Sequence, residues 1–411
     1  MAKSRLIIVL LLTLGLLGIS SATSVVGATD EARWSQVSSP DGGEVGGWLL
    51  AEGSDVRHLA LAADGTLYAG VDGLDYTLYK STDGGYSWQH CYNVADTIVD
   101  IAVTADDAGI VYYATGSNVY KSTDAGESFA HLAASPANGG GNIEITSLDV
   151  ARWDDVNIIV VGTKDNDVGE YGGVYMLEEE PFAQWFDTDI GDFDVYAIAF
   201  SPVFSDDQQM VAVVTDETDS FVVTRTGNAG WGQTVGNARL DKDNSGASVA
   251  VGISADIAFP GGYSSGPDSD YNVQFVAVNT GGDNGDVYAI YGGAVPSGSE
   301  AIDLNIGSGY GLSNIDVTSL AVCGDGASAV LLAGIAGDGQ VYRSLDSGDS
   351  WARSSKEPTG QSETRVIMTH DFPGYGIAYA ATSGSGSALS VTLDGGATWN
   401  QDYIIDSPNP L

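Results

Sequence analysis

One phrase, written four times along the chain, restricts the possible folds more than any other feature. It spans residues 78–88 with Ser81, Asp83 and Trp88, and returns over 119–129 with Ser122, Asp124 and Phe129. A third copy over 341–351 carries Ser344, Asp346 and Trp351, and a fourth over 392–399 carries Thr392, Asp394 and Trp399. A degraded copy at 224–231 keeps Thr224, Gly227 and Trp231 but lacks the aspartate, while Val174-Tyr175 and Val287-Tyr288 keep only the strand leading in. Such a phrase reads as a tight β-hairpin. The hydroxyl and carboxylate bond backbone N–H groups of the turn, Gly supplies a positive φ, and the aromatic ring packs beneath.

A second periodic feature precedes each hairpin: a polar residue followed by an apolar run. It occurs at 55–61, 97–103, 144–148, 194–200, 253–259, 316–320 and 364–369, and a second apolar run follows each. Each unit therefore reads as four strands with the first innermost, and seven units over residues 29–411 average about 55 residues. Self-similarity at this period belongs to repeat architectures, and 55 glycines with 20 tyrosines suit many short strands joined by turns.

The repeated phrase resembles the Asp-box, S/T-x-D-x-G-x-T/S-W, of sialidases and related propellers. The resemblance implies an all-β fold: a single seven-bladed β-propeller with four-stranded antiparallel blades. It also implies that the hairpin joins the third and fourth strands on the rim away from the active face, so that its aspartates are structural. Residues 34–37 resemble the strand after an Asp-box and are expected to complete the last blade, in competition with 400–411. The longest insertions fall near 164–171, 260–272 and 294–314, in the third and fifth units.

The N-terminus reads as an export signal. Lys3 and Arg5 precede an apolar stretch from Leu6 to Ile19, and small residues around Val26-Gly27-Ala28 offer a cleavage site, which makes 1–28 the expected signal peptide. The apolar stretch is shorter than the ~20 residues that span a bilayer. A secreted or cell-surface location is expected, with no transmembrane segment in the mature chain. Net charge is −40, which repels nucleic acid and anionic lipid and suits cations or basic protein surfaces. Cys91 and Cys323 stand far apart, and the apolar run around Cys323 favours free thiols.

Three sets of residues carry the functional expectations. Asp55, Glu144, Asp194 and Asp316 open inner strands, so together they would line one mouth of the central channel as a binding ring. Asp241, Asp243 and Ser245 match the first half of an oxygen-ligand loop, D-x-D-x-S-G, without the closing Glu. They make calcium the candidate ion in a chain that otherwise calls for no cofactor; Asp268-Ser269-Asp270 and Asp283-Asn284-Gly285-Asp286 are weaker versions. The segment Gly262–Gly266 matches G-x-S-x-G but lies in a Gly/Ser/Asp loop without the strand-turn-helix context of a nucleophile elbow.

Sialidases bind the substrate carboxylate with three arginines. Here only Arg57 and Arg365 are placed to meet at the centre, so sialidase activity is not expected. The chain also resembles xyloglucanase-type propellers, which imply a pair of acids, and sortilin-like receptors and photosystem assembly factors, which imply a protein-binding face. The expectation is an exported non-catalytic propeller binding a protein or polysaccharide partner. A glycoside hydrolase with a carboxylate pair at the mouth is the alternative, and a surface-lattice subunit a third.

Overall fold

The computed structural model describes residues 55–404, except 73–75, 95, 233–237, 267–270, 293–299 and 385–386. They form seven four-stranded antiparallel sheets arranged as the blades of a propeller. Blade 1 comprises Val56–Leu61, Leu67–Val71, Leu78–Ser81 and Gln89–His90; blade 2 comprises Asp100–Val103, Val111–Ala114, Val119–Ser122 and Ala130–His131. Blade 3 is Ile143–Trp153, Val156–Asp165, Gly173–Glu178 and Phe186–Asp187; blade 4 is Asp194–Phe200, Gln209–Thr215, Ser220–Thr226 and Ala238–Arg239. A hairpin of Asp241–Lys242 and Ala247–Ser248 leads into blade 5, formed by Ser254–Ala258, Val273–Asn279, Val287–Tyr291 and Ala301–Asp303. Blade 6 is Val317–Cys323, Val330–Ile335, Val341–Ser344 and Ala352–Arg353, and blade 7 is Thr364–Met368, Ala378–Thr382, Ala388–Thr392 and Asn400–Ile404.

Burial follows the period of the strand. In the second strand of blade 4, Met210, Ala212 and Val214 pack with blade 3, while Val211 and Val213 pack with blade 5. Because both faces of the strand are covered, Gln209–Thr215 reads as a continuous apolar run and not as an alternating one. The core accordingly divides into seven apolar clusters, one at each junction between neighbouring blades. The junction of blades 7 and 1 is built like the others, with Val56, Leu67, Tyr79 and Trp88 against Ala381 and Leu389. Each blade draws its strands from one continuous stretch of chain. The outer strand of blade 7 is Asn400–Ile404, so the ring closes by packing of blade 7 on blade 1. The segment 34–37, expected as a closing strand, lies outside the described residues, as does the expected signal segment 1–28.

The four repeated phrases form superimposable hydrogen-bond sets between third and fourth strands. In blade 1, Ser81 Oγ donates to Asp83 Oδ1 at 2.8 Å and accepts from Gly85 N–H at 2.9 Å. Asp83 then accepts from Ser87 N–H at 2.9 Å and from the Ser87 hydroxyl at 2.6 Å. The same bonds recur around Asp124, Asp346 and Asp394. Trp88, Phe129 and Trp399 are buried beneath their turns, and Trp351 is half-buried. At Gly396, φ is +83°, and a Cβ there would lie 2.5 Å from Leu332 Cδ2, so only glycine fits.

The residue before that glycine also has positive φ. It is Gly84 in blade 1 and Gly395 in blade 7, but Ala125 in blade 2, at +54°. An L-residue with a Cβ is strained in this region. Ala125→Gly should therefore raise stability by about 0.5–1 kcal/mol, read as a higher denaturant midpoint with an unchanged slope. A loss of stability would show that Ala125 contributes packing worth more than its strain.

Candidate functional site

Antiparallel pairing fixes which end of the propeller is which. The inner strand of blade 1 begins opposite the end of the second strand, Val56 pairing with Val71. Turns between second and third strands therefore surround the mouth where the inner strands start, and the repeated aspartate turns lie at the other end. Asp83, Asp124, Asp346 and Asp394 are thus remote from the mouth, and their carboxylates are engaged within their own turns.

Three of the four acids expected to ring the mouth are turned away from the axis. Asp55 accepts a hydrogen bond from Gly384 N–H of blade 7 at 2.7 Å. Asp194 accepts from Asp165 and Gly172 N–H of blade 3 at 2.8 and 3.0 Å. Asp316 accepts from Thr280, Asp283 and Gly285 N–H of blade 5, all within 2.9 Å, and from the Thr280 hydroxyl. Each acid clamps the second-to-third-strand turn of the preceding blade. Burial opposes the charge of Asp316, yet those N–H groups hold its carboxyl below the usual range. Only Glu144 lines the cavity at the axis, where it pairs with Lys164 at 3.4 Å.

That cavity, about 460 Å³ in volume, is walled by all seven inner strands. Arg57 and Arg365, from blades 1 and 7, both enter it and share Glu363: Arg57 Nη1 lies 3.0 Å and Arg365 Nη2 3.9 Å from Glu363 Oε2. Arg57 also bonds Asp72 at 2.7 Å. Burial works against its charge, but Asp72, Glu363 and Asp55 outweigh it and raise its pKa. Arg365 Nη1 donates to Thr318 O at 2.5 Å, and burial lowers its pKa against the pull of Glu363 and Asp256. His58 stands beside them, its pKa driven down to about 3 by burial and then by Arg365 and Arg57.

Half-buried acids that the pattern of strand-opening residues did not select sit deeper in the inner strands. Asp100 accepts from Ile101 N–H and, across the junction, from Leu148 N–H of blade 3, each at 2.8 Å. Asp149 accepts from Phe200 N–H of blade 4 at 2.7 Å, and Asp256 from Leu320 N–H of blade 6 at 2.8 Å. Burial raises all three: Asp100 to about 7, with Asp256 and Asp149 adding to the shift, and Asp149 to about 6. Asp100 and Asp256 face the cavity. Their sequence signal was a single acid interrupting an apolar run, as in Thr97–Val103 and Ile253–Phe259.

The expected oxygen-ligand loop is a hairpin turn. Asp241 accepts from Gly246 N–H at 2.9 Å, Ser245 Oγ donates to Lys242 O at 2.6 Å, and Asp243 N–H donates to Asp303 Oδ2 at 2.8 Å. Asp268 and Asp270 lie outside the described residues. Among the described residues, three acidic groups with oxygens within 4.8 Å of one another occur at Asp165, Asp167 and Glu170, on the exposed rim of blade 3. Residues 262–266 lie in the connection between the first two strands of blade 5, where the buried Tyr263 bonds Gln209 of blade 4. Cys91 and Cys323 are free thiols. No helix among the described residues is long and apolar enough to cross a membrane.

The clamp reading separates two acids that the sequence treats alike. Asp316→Ala should cost about 3 kcal/mol, since it strands three backbone N–H groups, whereas Glu144→Ala should stay within about 0.5 kcal/mol. Chemical denaturation distinguishes them; equal effects would show that Asp316 does not hold the turn of blade 5.

No protein-family model and no curated protein matches this chain. Among solved structures, YCF48 from Cyanidioschyzon merolae aligns at 13% identity with a TM-score of 0.52, covering 82% of this chain and 94% of that one. A structure of YCF48 bound to D1 peptide aligns at 14% identity and a TM-score of 0.49, over 80% of this chain and 90% of that chain. The Penicillium chrysogenum α-L-arabinanase, complexed with arabinobiose, aligns at 9% identity and a TM-score of 0.42, over 82% and 93%. At these identities the likeness extends to the fold alone, and the fold is a β-propeller.

Proposed function

We propose that the chain is an exported, non-catalytic propeller of the Asp-box type that binds a protein or polysaccharide segment at the mouth of its central cavity. The observation that carries this reading is the cavity itself. Its volume of about 460 Å³ falls in the range of ligand sites, and all seven blades wall it. Glu144, Lys164 and Tyr196 line it without clamping a turn of the preceding blade, unlike the three acids around it. Mixed charge at the rim, with Tyr196 between, suits a polar chain lying across the opening. The export part of the proposal rests on Lys3, Arg5 and the apolar stretch after them, and the acidic surface supports an extracellular setting.

A peptide array and a panel of soluble polysaccharides, probed with the folded protein, test this reading. The combined change Glu144→Ala and Lys164→Ala, at the half-exposed pair of the mouth, should weaken capture at least tenfold while the melting temperature stays put. Unchanged capture would remove the cavity as the site.

A second reading has one observation in its favour. Asp100, raised to about 7 by burial inside the cavity, has the pKa of a general acid, and Glu144 stands in the same wall as a second carboxyl group. Reducing-end release from those polysaccharides, abolished by Asp100→Asn, would make the protein a glycoside hydrolase. Absence of release from the folded protein rejects that reading.

A further inference from the structure

The side of blade 5 that faces blade 4 carries a polar pocket that its own hydrogen bonds leave incomplete. Tyr288 points toward blade 4, in the apolar cluster with Leu240, Val249 and Val251 that flank the connecting hairpin. Asp286 lies two residues earlier, on the same side of the strand, and Asp303 is paired directly opposite Tyr288. The hairpin turn closes over them: Asp243 N–H donates to Asp303 Oδ2, and the Asn244 side chain makes two bonds to the Asp303 backbone, at 2.8 and 2.9 Å.

Two buried oxygens are left over. Asp286 is fully buried; its Oδ1 accepts from Val287 and Ile306 N–H, while Oδ2 has no partner among the described residues. The Tyr288 hydroxyl, equally buried, has none either, and the charges acting on it are those of Asp303, Asp286, Asp241 and Asp243. A buried hydroxyl or carboxylate oxygen without a partner costs about 1–3 kcal/mol, and here both lie within one group of four acids. No lysine or arginine is among the groups that most perturb Asp286 and Asp303.

We infer that this pocket is a calcium site, in which Asp286, Asp303 and the hairpin residue Asp243 supply carboxylate oxygens from three separate stretches of chain. An oxygen-only donor set of this kind suits calcium, which accepts variable geometry, better than magnesium, which requires a near-octahedral shell. The Tyr288 hydroxyl is met by a water that the ion retains. The carboxylates of Asp243, Asp286 and Asp303 do not all lie within 4.8 Å of one another as those of the Asp165 group do, so the proposal requires the exposed Asp243 side chain to turn inward when the ion binds. The D-x-D-x-S-G pattern thus supplies part of a site completed by blade 5, and its serine, bonded to Lys242 O, takes no part.

The test is calcium uptake by the full chain after chelator treatment, measured by equilibrium dialysis and by the melting temperature with and without calcium chloride. One ion should bind, and the melt should rise by several degrees with calcium but not with equimolar magnesium. Asp286→Asn should abolish both effects. Asp243→Asn, at an exposed position whose bond to Asp303 runs through the backbone, should fold normally and weaken uptake at least tenfold; Tyr288→Phe should weaken it less. Asp167→Asn should change nothing. Uptake that survives Asp243→Asn and Asp286→Asn, or is lost with Asp167→Asn, overturns the proposal. So does a calcium-indifferent melt that Asp286→Asn raises, because the pocket would then hold a proton.

Discussion

Carboxylates that accept backbone N–H bonds across the junctions between blades are the interaction on which the rest of this structure depends. A propeller blade is a complete small sheet, and nothing in its own ladder specifies how the next blade sits. Apolar packing at the seven junctions supplies attraction without direction. Direction comes from polar ties: Asp55, Asp194 and Asp316 reach back to a turn of the preceding blade, and Asp100, Asp149 and Asp256 reach forward to the next inner strand. Thr146 and Thr318 add hydroxyl donors to Val195 O and Thr364 O of the following blades. At the opposite end, Lys80 and Lys121 reach forward to Glu127 and Glu179 of the next blades.

These ties explain where acidity is costly and where it is not. The aspartates of the repeated turns stay exposed and well supplied with donors; the two serine hydroxyls and the Ser128 N–H hold Asp124 at about 2. The inner-strand acids are the opposite case, with burial outweighing one or two N–H donors. Each satisfies a backbone N–H of the next inner strand, so desolvation of one group is traded for satisfaction of another. A mouth built this way has few polar side chains left for a ligand, which is why Glu144, Lys164 and Tyr196 stand out.

Much of the architecture was legible beforehand, for a definite reason. Ser81, Asp83 and Trp88 recur because the hairpin is local: every partner lies within seven residues, so the pattern survives as text. The inner strands were legible as well, since a strand covered on both faces is written as an unbroken apolar run. The site was read less well. Asp55, Asp194 and Asp316 were chosen as strand-opening acids, and they stand at the end of the propeller where the inner strands start. The direction of their carboxylates depends on turns 22 to 329 residues away in sequence. Asp100 and Asp256 went unselected because an acid within an apolar run looks like an interruption until the neighbouring blade supplies its donor.

By itself, then, the amino-acid sequence determined the repeat, the number of blades and the chemistry of each turn, because those are short-range consequences of hydroxyl, carboxylate and glycine at fixed spacing. Tertiary structure decided what the acids do. It turned three rim aspartates into clamps, brought Arg57 and Arg365 together on Glu363 across the closure of the ring, and set Asp243 over Asp286 and Asp303. Those outcomes depend on which blade lies beside which, and on how far water is excluded between them.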